Sequence, residues 1–143
     1  MNEKMDNNLA AIIELPKIFD DRGNLSFFEE SSHVPFPIAR TYWIYDVPGG
    51  EIRGAHAFKQ QEEIIIALSG SFDIVLNDGK SEQVYSLNRS YKALYVPKMI
   101  WRSMQNFSTN AVALVAASTL FSVSDYIRDF DEFCKIKNNG FGI

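Results

Sequence analysis

Apolar residues recur at every second position through most of this chain. Period two sends alternate side chains of an extended strand to opposite faces, one toward a core and one toward water. A chain that keeps this pattern almost throughout is confined to a sheet-built fold. The pattern predicts strands over 24–29, 38–46, 52–58, Glu63–Ser69, 71–77, Glu82–Leu87, 93–96, 100–107 and 112–118. Turn chemistry separates them. Pro48-Gly49-Gly50 follows the second strand, and Ser108-Thr109-Asn110 divides the last two. Asp78-Gly79 joins the 71–77 and Glu82–Leu87 strands as a hairpin, because both central residues of the favoured tight turn need positive φ. So many short strands at close spacing predict an all-β sandwich or barrel. One short helix is expected near the end. Ser124 would cap it, Asp125 would sit in its first turn, and Tyr126, Ile127, Phe130 and Phe133 recur at helical spacing. The polar, glycine-containing stretch 135–143 is expected to fray. A single domain over 1–143 is expected, flexible at 1–9 and 138–143.

Composition excludes several classes of function. The 143 residues suit one domain with a real core, and 46% hydrophobic with 22% charged residues is ordinary for a soluble globular protein. The formal net charge of −4 gives no global basic field to attract nucleic acid or an anionic membrane. The one cysteine, Cys134, excludes an intrachain disulfide. The longest apolar run, 111–117, is far too short to span a bilayer, and the polar start of the chain lacks the apolar centre of a signal peptide. A cytoplasmic location is expected.

Few residues carry usable chemistry. Two histidines allow no Ser/His/Asp arrangement, Cys134 has no histidine near it in sequence, and no glycine-rich phosphate loop is present. In the 52–58 strand, Gly54, His56 and Phe58 share a face. An imidazole titrates near pH ~6.5 and serves as a base at neutral pH. The plainer role is a core histidine bonded to a neighbour. Arg53 at the mouth of that strand, and Arg40 beside Tyr42-Trp43-Ile44-Tyr45, offer planar guanidinium groups suited to phosphate oxygens. The plainer role for each is a solvated or salt-bridged surface arginine.

The spacing Gly50, His56, Glu63, Gly70 resembles the first cupin motif, and Pro97 through Trp101-Arg102 is similar to the second. The resemblance implies a cupin-like jelly-roll β-barrel with the His56 face turned inward. Metal-binding cupins use histidine, histidine, glutamate and histidine. This chain keeps His56 and Glu63, with Phe58 and Arg102 at the other two places. No metal is therefore expected, since stable sites take three or more protein ligands. The same motif puts Arg102 in the pocket, where it would need Glu63 or an anionic substrate group as partner.

Longer segments resemble the WxcM-like sugar-nucleotide 3,4-ketoisomerase family across residues 11–137. They are Asp21-Arg22-Gly23-Asn24-Leu25, Tyr42-Trp43-Ile44-Tyr45-Asp46, Arg53-Gly54-Ala55-His56-Ala57, Leu76-Asn77-Asp78-Gly79, Leu94-Tyr95-Val96-Pro97, Trp101 and Asp125-Tyr126-Ile127-Arg128. Phe58 stands where the family has a second histidine, and Trp101-Arg102 where it has Trp-His. The resemblance implies a dTDP-4-keto-6-deoxyhexose as substrate in bacterial surface-glycan synthesis, and a homodimer, with a paralogous subunit as an alternative partner. His56 would be the base, Tyr45 or Tyr42 a hydroxyl donor, and Arg102 the charge that holds an enediolate. Arg53, Arg40, Tyr42, Glu63 and Trp101 would bind substrate. No cofactor is implied. The alternatives are a non-catalytic sugar-nucleotide-binding cupin, an inactive partner subunit, or a sugar-nucleotide epimerase.

Overall fold

The computed structural model describes residues 9–139. Twelve short strands run in order: β1 (Ala11–Glu14), β2 (Lys17–Ile18), β3 (Leu25–Ser26), β4 (Arg40–Ile44), β5 (Arg53–Phe58), β6 (Glu63–Ser69), β7 (Phe72–Asn77), β8 (Glu82–Leu87), β9 (Lys92–Val96), β10 (Trp101–Gln105), β11 (Val112–Ala117) and β12 (Tyr126–Ile127). One helix, α1 (Phe130–Asn138), follows. The strands build two five-stranded antiparallel sheets, β1-β9-β6-β11-β4 and β12-β5-β10-β7-β8, with β2 and β3 paired apart. The fold is thus mostly β with one C-terminal helix. Among the described residues no helix is long and apolar enough to cross a membrane.

The period-two pattern explains which face each strand buries. Ile65 and Ala67 of β6 join Ile74 and Leu76 of β7, Met104 of β10 and Val115 of β11 in the largest core cluster. That cluster draws on both sheets, so the sheets face each other across it. Burying each such side chain is worth about 1.5–3 kcal/mol. Ile64 and Ile66, the alternate residues of β6, point the other way and pack under Val34 and Phe36. The back of the second sheet is closed by Phe133 of α1, which packs on Ala57 and Ile127.

Most predicted strands are present, trimmed by one or two residues. The 24–29 strand shrinks to Leu25–Ser26, and β1 and β2 lie outside the predicted set. Adjacent Ile12 and Ile13 hide the alternation in β1. The helix is corrected. Asp129, not Ser124, caps it by accepting from the Asp131 and Glu132 amides. Ser124 sits in a short 3₁₀ turn, and Tyr126-Ile127 pairs with β5 as a strand. Sheet pairing overrides the local helical spacing there. The helix also carries 135–138 to its end, against the expected fraying, with Lys137 Nζ donating to the Met99 carbonyl at 2.7 Å. The expectation of flexible ends falls mainly on 1–8 and 140–143, outside the described residues.

Candidate functional site

At one end of the gap between the sheets, side chains from both converge. The first sheet supplies Arg40 and Tyr42 from β4 and Glu63 from β6. The second supplies His56 and Phe58 from β5, Arg102 from β10 and Tyr126 from β12. Alternation selects them: Arg40 and Tyr42 are partly buried while the alternate residues Thr41 and Trp43 are exposed.

Arg102 is the centre of this group. It is 2% exposed, and Glu63 is 1% exposed. Arg102 Nε lies 2.9 Å from Glu63 Oε2, and Nη2 donates to Glu63 Oε1 at 3.2 Å and to Tyr42 Oη at 2.9 Å. Tyr42 Oη in turn donates to Glu63 Oε1 through a short bond. Gln61 Nε2 donates to the same oxygen at 2.8 Å, while Gln61 Oε1 accepts from Arg40 Nη2 and Thr119 Oγ1, both at 2.7 Å. Two opposite charges taken out of water this completely persist because each meets the other, Tyr42 accepts from Arg102, and Tyr42 and Gln61 donate to Glu63. Burial pushes the Tyr42 phenol far up, Arg102 opposes this, and Glu63 adds to it, so the phenol keeps its proton. Burial also works against the Arg102 charge, but Glu63 and Tyr42 outweigh it and hold its pKa above the ordinary value.

A bulge in β5 shapes the space above Arg102. His56 stands opposite Arg102 and Arg53 opposite Met104, so Gly54 and Ala55 together face one residue of β10. Gly54 has φ +69°, and a Cβ there would come within 3.0 Å of Arg102 Nη1. The extra residue also re-aims Arg53. Directly opposed residues share a face, so Arg53, exposed at the mouth, joins the face of Met104 and His56.

His56 packs edge-on to Phe58, with centroids 4.8 Å apart, and lies 4.9 Å from the Tyr126 ring. Its Nε2 is buried without a hydrogen-bond partner, and so is Arg102 Nη1. Buried polar atoms in native proteins nearly always have partners, so two unmet atoms in one recess point to a ligand or a reacting group. Burial, then Arg102 and Arg128, pushes the His56 pKa down from 6.5 to about 3. The imidazole is therefore neutral at pH 7, with a free lone pair or N–H beside a fixed cation.

This depressed pKa has a defined sign. The unfolded chain takes up the His56 proton near pH 6.5 and the folded chain only near pH 3. Stability from this group is full above pH 6.5 and falls as pH drops through that window. The His56 ring resonances in NMR should show no titration between pH 8 and pH 5. A midpoint near 6.5 would contradict the burial described.

Not every predicted residue comes to this site. Trp101 alternates with Arg102 and faces the back of the sheet, against Phe130 at 5.4 Å and Phe133 at 5.9 Å. Tyr45 is 60% exposed and shares an outer recess with Trp43, Leu68 and Leu114. Period two explains both: each lies an odd number of residues from an inward neighbour, Arg102 or Tyr42. Tyr126, Arg128, Gln61 and Thr119 were absent from the predicted set. Arg128 lies over the Tyr126 ring at 4.4 Å. The Asp125–Arg128 element of the resemblance was the available signal, but helical spacing drew Tyr126 into a predicted helix. Among the described residues, no three His, Cys, Asp or Glu side chains converge as a metal site requires.

The family model described as WxcM-like, C-terminal, matches residues 8–138. The chain is 40% identical over 124 residues to the TDP-4-oxo-6-deoxy-alpha-D-glucose-3,4-oxoisomerase of Aneurinibacillus thermoaerophilus, covering 87% of this chain and 89% of that one. It is 42% identical to the solved 3,4-ketoisomerase of Helicobacter canadensis, covering 90% and 97% of the two chains, with a TM-score of 0.88. A sugar 3,4-ketoisomerase from Thermoanaerobacterium thermosaccharolyticum, solved in complex with TDP, superimposes at TM-score 0.89 with 33% identity over 92% and 96%. With a match this long and relatives this similar over most of both chains, this protein belongs to the WxcM-like sugar-nucleotide 3,4-ketoisomerase family.

Proposed function

We propose that this chain is an isomerase that moves the ketone of a dTDP-4-keto-6-deoxyhexose from C4 to C3 in bacterial surface-glycan synthesis. One observation carries the chemistry: the unpartnered, uncharged His56 imidazole stands beside the unpartnered Nη1 of Arg102. A C4 ketone acidifies the C3 proton. His56 Nε2 removes that proton, and Arg102 faces the negative charge that develops on the enediolate. Glu63, Tyr42 and Gln61 fix Arg102 in place before substrate arrives. Burial first, and then Arg102 and Arg128, depress His56; bound anionic groups offset the part that comes from the two arginines.

Arg53 at the mouth is the proposed diphosphate contact, supported by its re-aimed face and by the TDP held by the Thermoanaerobacterium relative. Arg40, whose Nε is buried without a hydrogen-bond partner, lines the wall on the Tyr42 side. We read the two facing sheets as a cupin-like jelly roll. The exposed Trp43, Tyr45 and Leu68 on one recess of the first sheet support a homodimer, which sedimentation of the purified protein checks. A sugar-nucleotide substrate supports a cytoplasmic location.

The test is direct. Incubation with dTDP-4-keto-6-deoxyglucose should give a 3-keto product by NMR. Unchanged substrate after prolonged incubation with folded, TDP-binding protein would refute the activity.

A further inference from the structure

Moving the ketone requires two kinds of proton traffic. One proton leaves C3 and one arrives at C4. A second must leave O3 and reach O4. His56 serves the carbon atoms, and the site holds no second imidazole, because Phe58 occupies the next inward place on β5. Tyr42 is a poor carrier: its proton is donated to Glu63, and burial pushes its pKa far up.

Tyr126 is placed differently. It stands directly opposite Phe58 in the β12–β5 pair, so its ring turns inward with Phe58 and His56, 4.6 Å and 4.9 Å away. Its backbone is pinned from outside. The Asp125 carboxylate accepts from the Gln60 and Gln61 amides at 2.8 and 3.1 Å, and the Lys59 amide donates to the Asp125 carbonyl at 3.0 Å. Its hydroxyl is near enough to act electrostatically on both Arg102 and Tyr42. No hydrogen bond to another described residue engages that hydroxyl. It is a positioned phenol with a free proton, beside the base and the cation.

Building on the isomerase function proposed above, we propose that Tyr126 is a catalytic residue that shuttles the hydroxyl proton between the two substrate oxygens, the work a second imidazole would otherwise do. The step balances. As His56 takes the C3 proton, the C3–H electron pair forms the C3=C4 bond and the C4 carbonyl pair moves to O4, whose charge Arg102 holds; O4 then takes the phenolic proton of Tyr126. The tyrosinate then takes the proton of O3. The O3 electron pair forms the C3 carbonyl, and the C3=C4 pair takes a proton from His56 at C4. The phenol and the imidazole end as they began, with no oxidant or reductant consumed.

The experiment uses the full chain with dTDP-4-keto-6-deoxyglucose in D₂O, following by NMR both deuterium entry at C3 and conversion to the 3-keto sugar. TDP-induced thermal stabilisation controls for folding. In Tyr126→Phe the ring contacts remain and only the hydroxyl is lost. Conversion should fall by about 10² while C3 exchange stays within about threefold of wild type, because His56 and Arg102 still form the enediolate. Adding Phe58→His to Tyr126→Phe should restore conversion at least about tenfold, by supplying the missing relay. Wild-type conversion in Tyr126→Phe overturns the inference. So does an equal fall of exchange and conversion in folded protein, which would mean that Tyr126 only positions His56. A wild-type chain that neither exchanges nor converts overturns the isomerase activity itself, a result distinct from either.

Discussion

Replacing His56 by asparagine should lower turnover on the keto sugar by about 10²–10⁴ and leave TDP binding intact. The prediction rests on position. His56 is the one imidazole at the convergence of the sheets; His33, the only other histidine, accepts from the Glu29 amide at 3.0 Å in a separate loop. Asparagine keeps much of the size and a polar tip but has no basic nitrogen. Binding energy from the nucleotide comes from remote groups and does not depend on the base. The measurement is a kcat comparison beside a TDP titration. Near-wild-type kcat in His56→Asn would show that another group takes the C3 proton.

The second large effect is on stability. Glu63→Ala should cost about 3–5 kcal/mol, because it strands the charge of Arg102, a buried side chain, without its ion partner. It also takes the acceptor from Tyr42 and Gln61 at once. Urea unfolding measures this as a shift of the midpoint at unchanged slope. Glu63→Leu combined with Arg102→Met removes both charges and should recover most of the loss, since a buried pair is often no more stable than apolar residues of similar volume. Recovery of stability without recovery of activity would separate the structural work of the pair from its chemical work. A cost under about 1 kcal/mol for Glu63→Ala would mean that the pair is far better solvated than its burial indicates.

The sheet architecture was legible because alternation is a local property. β6 and β8 were bounded to the residue, and β5, β7 and β9 to within one. The placing of His56 on the face of Gly54 and Phe58 followed from the same period, whereas the inward place of Arg102, with Glu63 or an anionic substrate group as its partner, came from the motif resemblance. What escaped depends on pairing between distant segments. Tyr126 lies on β12 only because the edge of β5 is open to it, and its local spacing argued for helix. The face of Arg53 depends on a one-residue bulge against β10, which no single-strand pattern contains. Trp101 and Tyr45 were drawn toward the site by their place in matching segments. Alternation from Arg102 and from Tyr42 would have placed both outside, had it been applied through those strands.

With Phe58 beside it and no second imidazole at the site, His56 is expected to remove a proton from C3 of a bound keto sugar. The most direct measurement is the C3 proton signal of dTDP-4-keto-6-deoxyglucose during incubation with the wild-type protein in D₂O. That signal should disappear as deuterium enters, with 3-keto product accumulating beside it. If the protein binds TDP but the C3 proton persists over hours, the chain is a sugar-nucleotide-binding module and His56 is not a base.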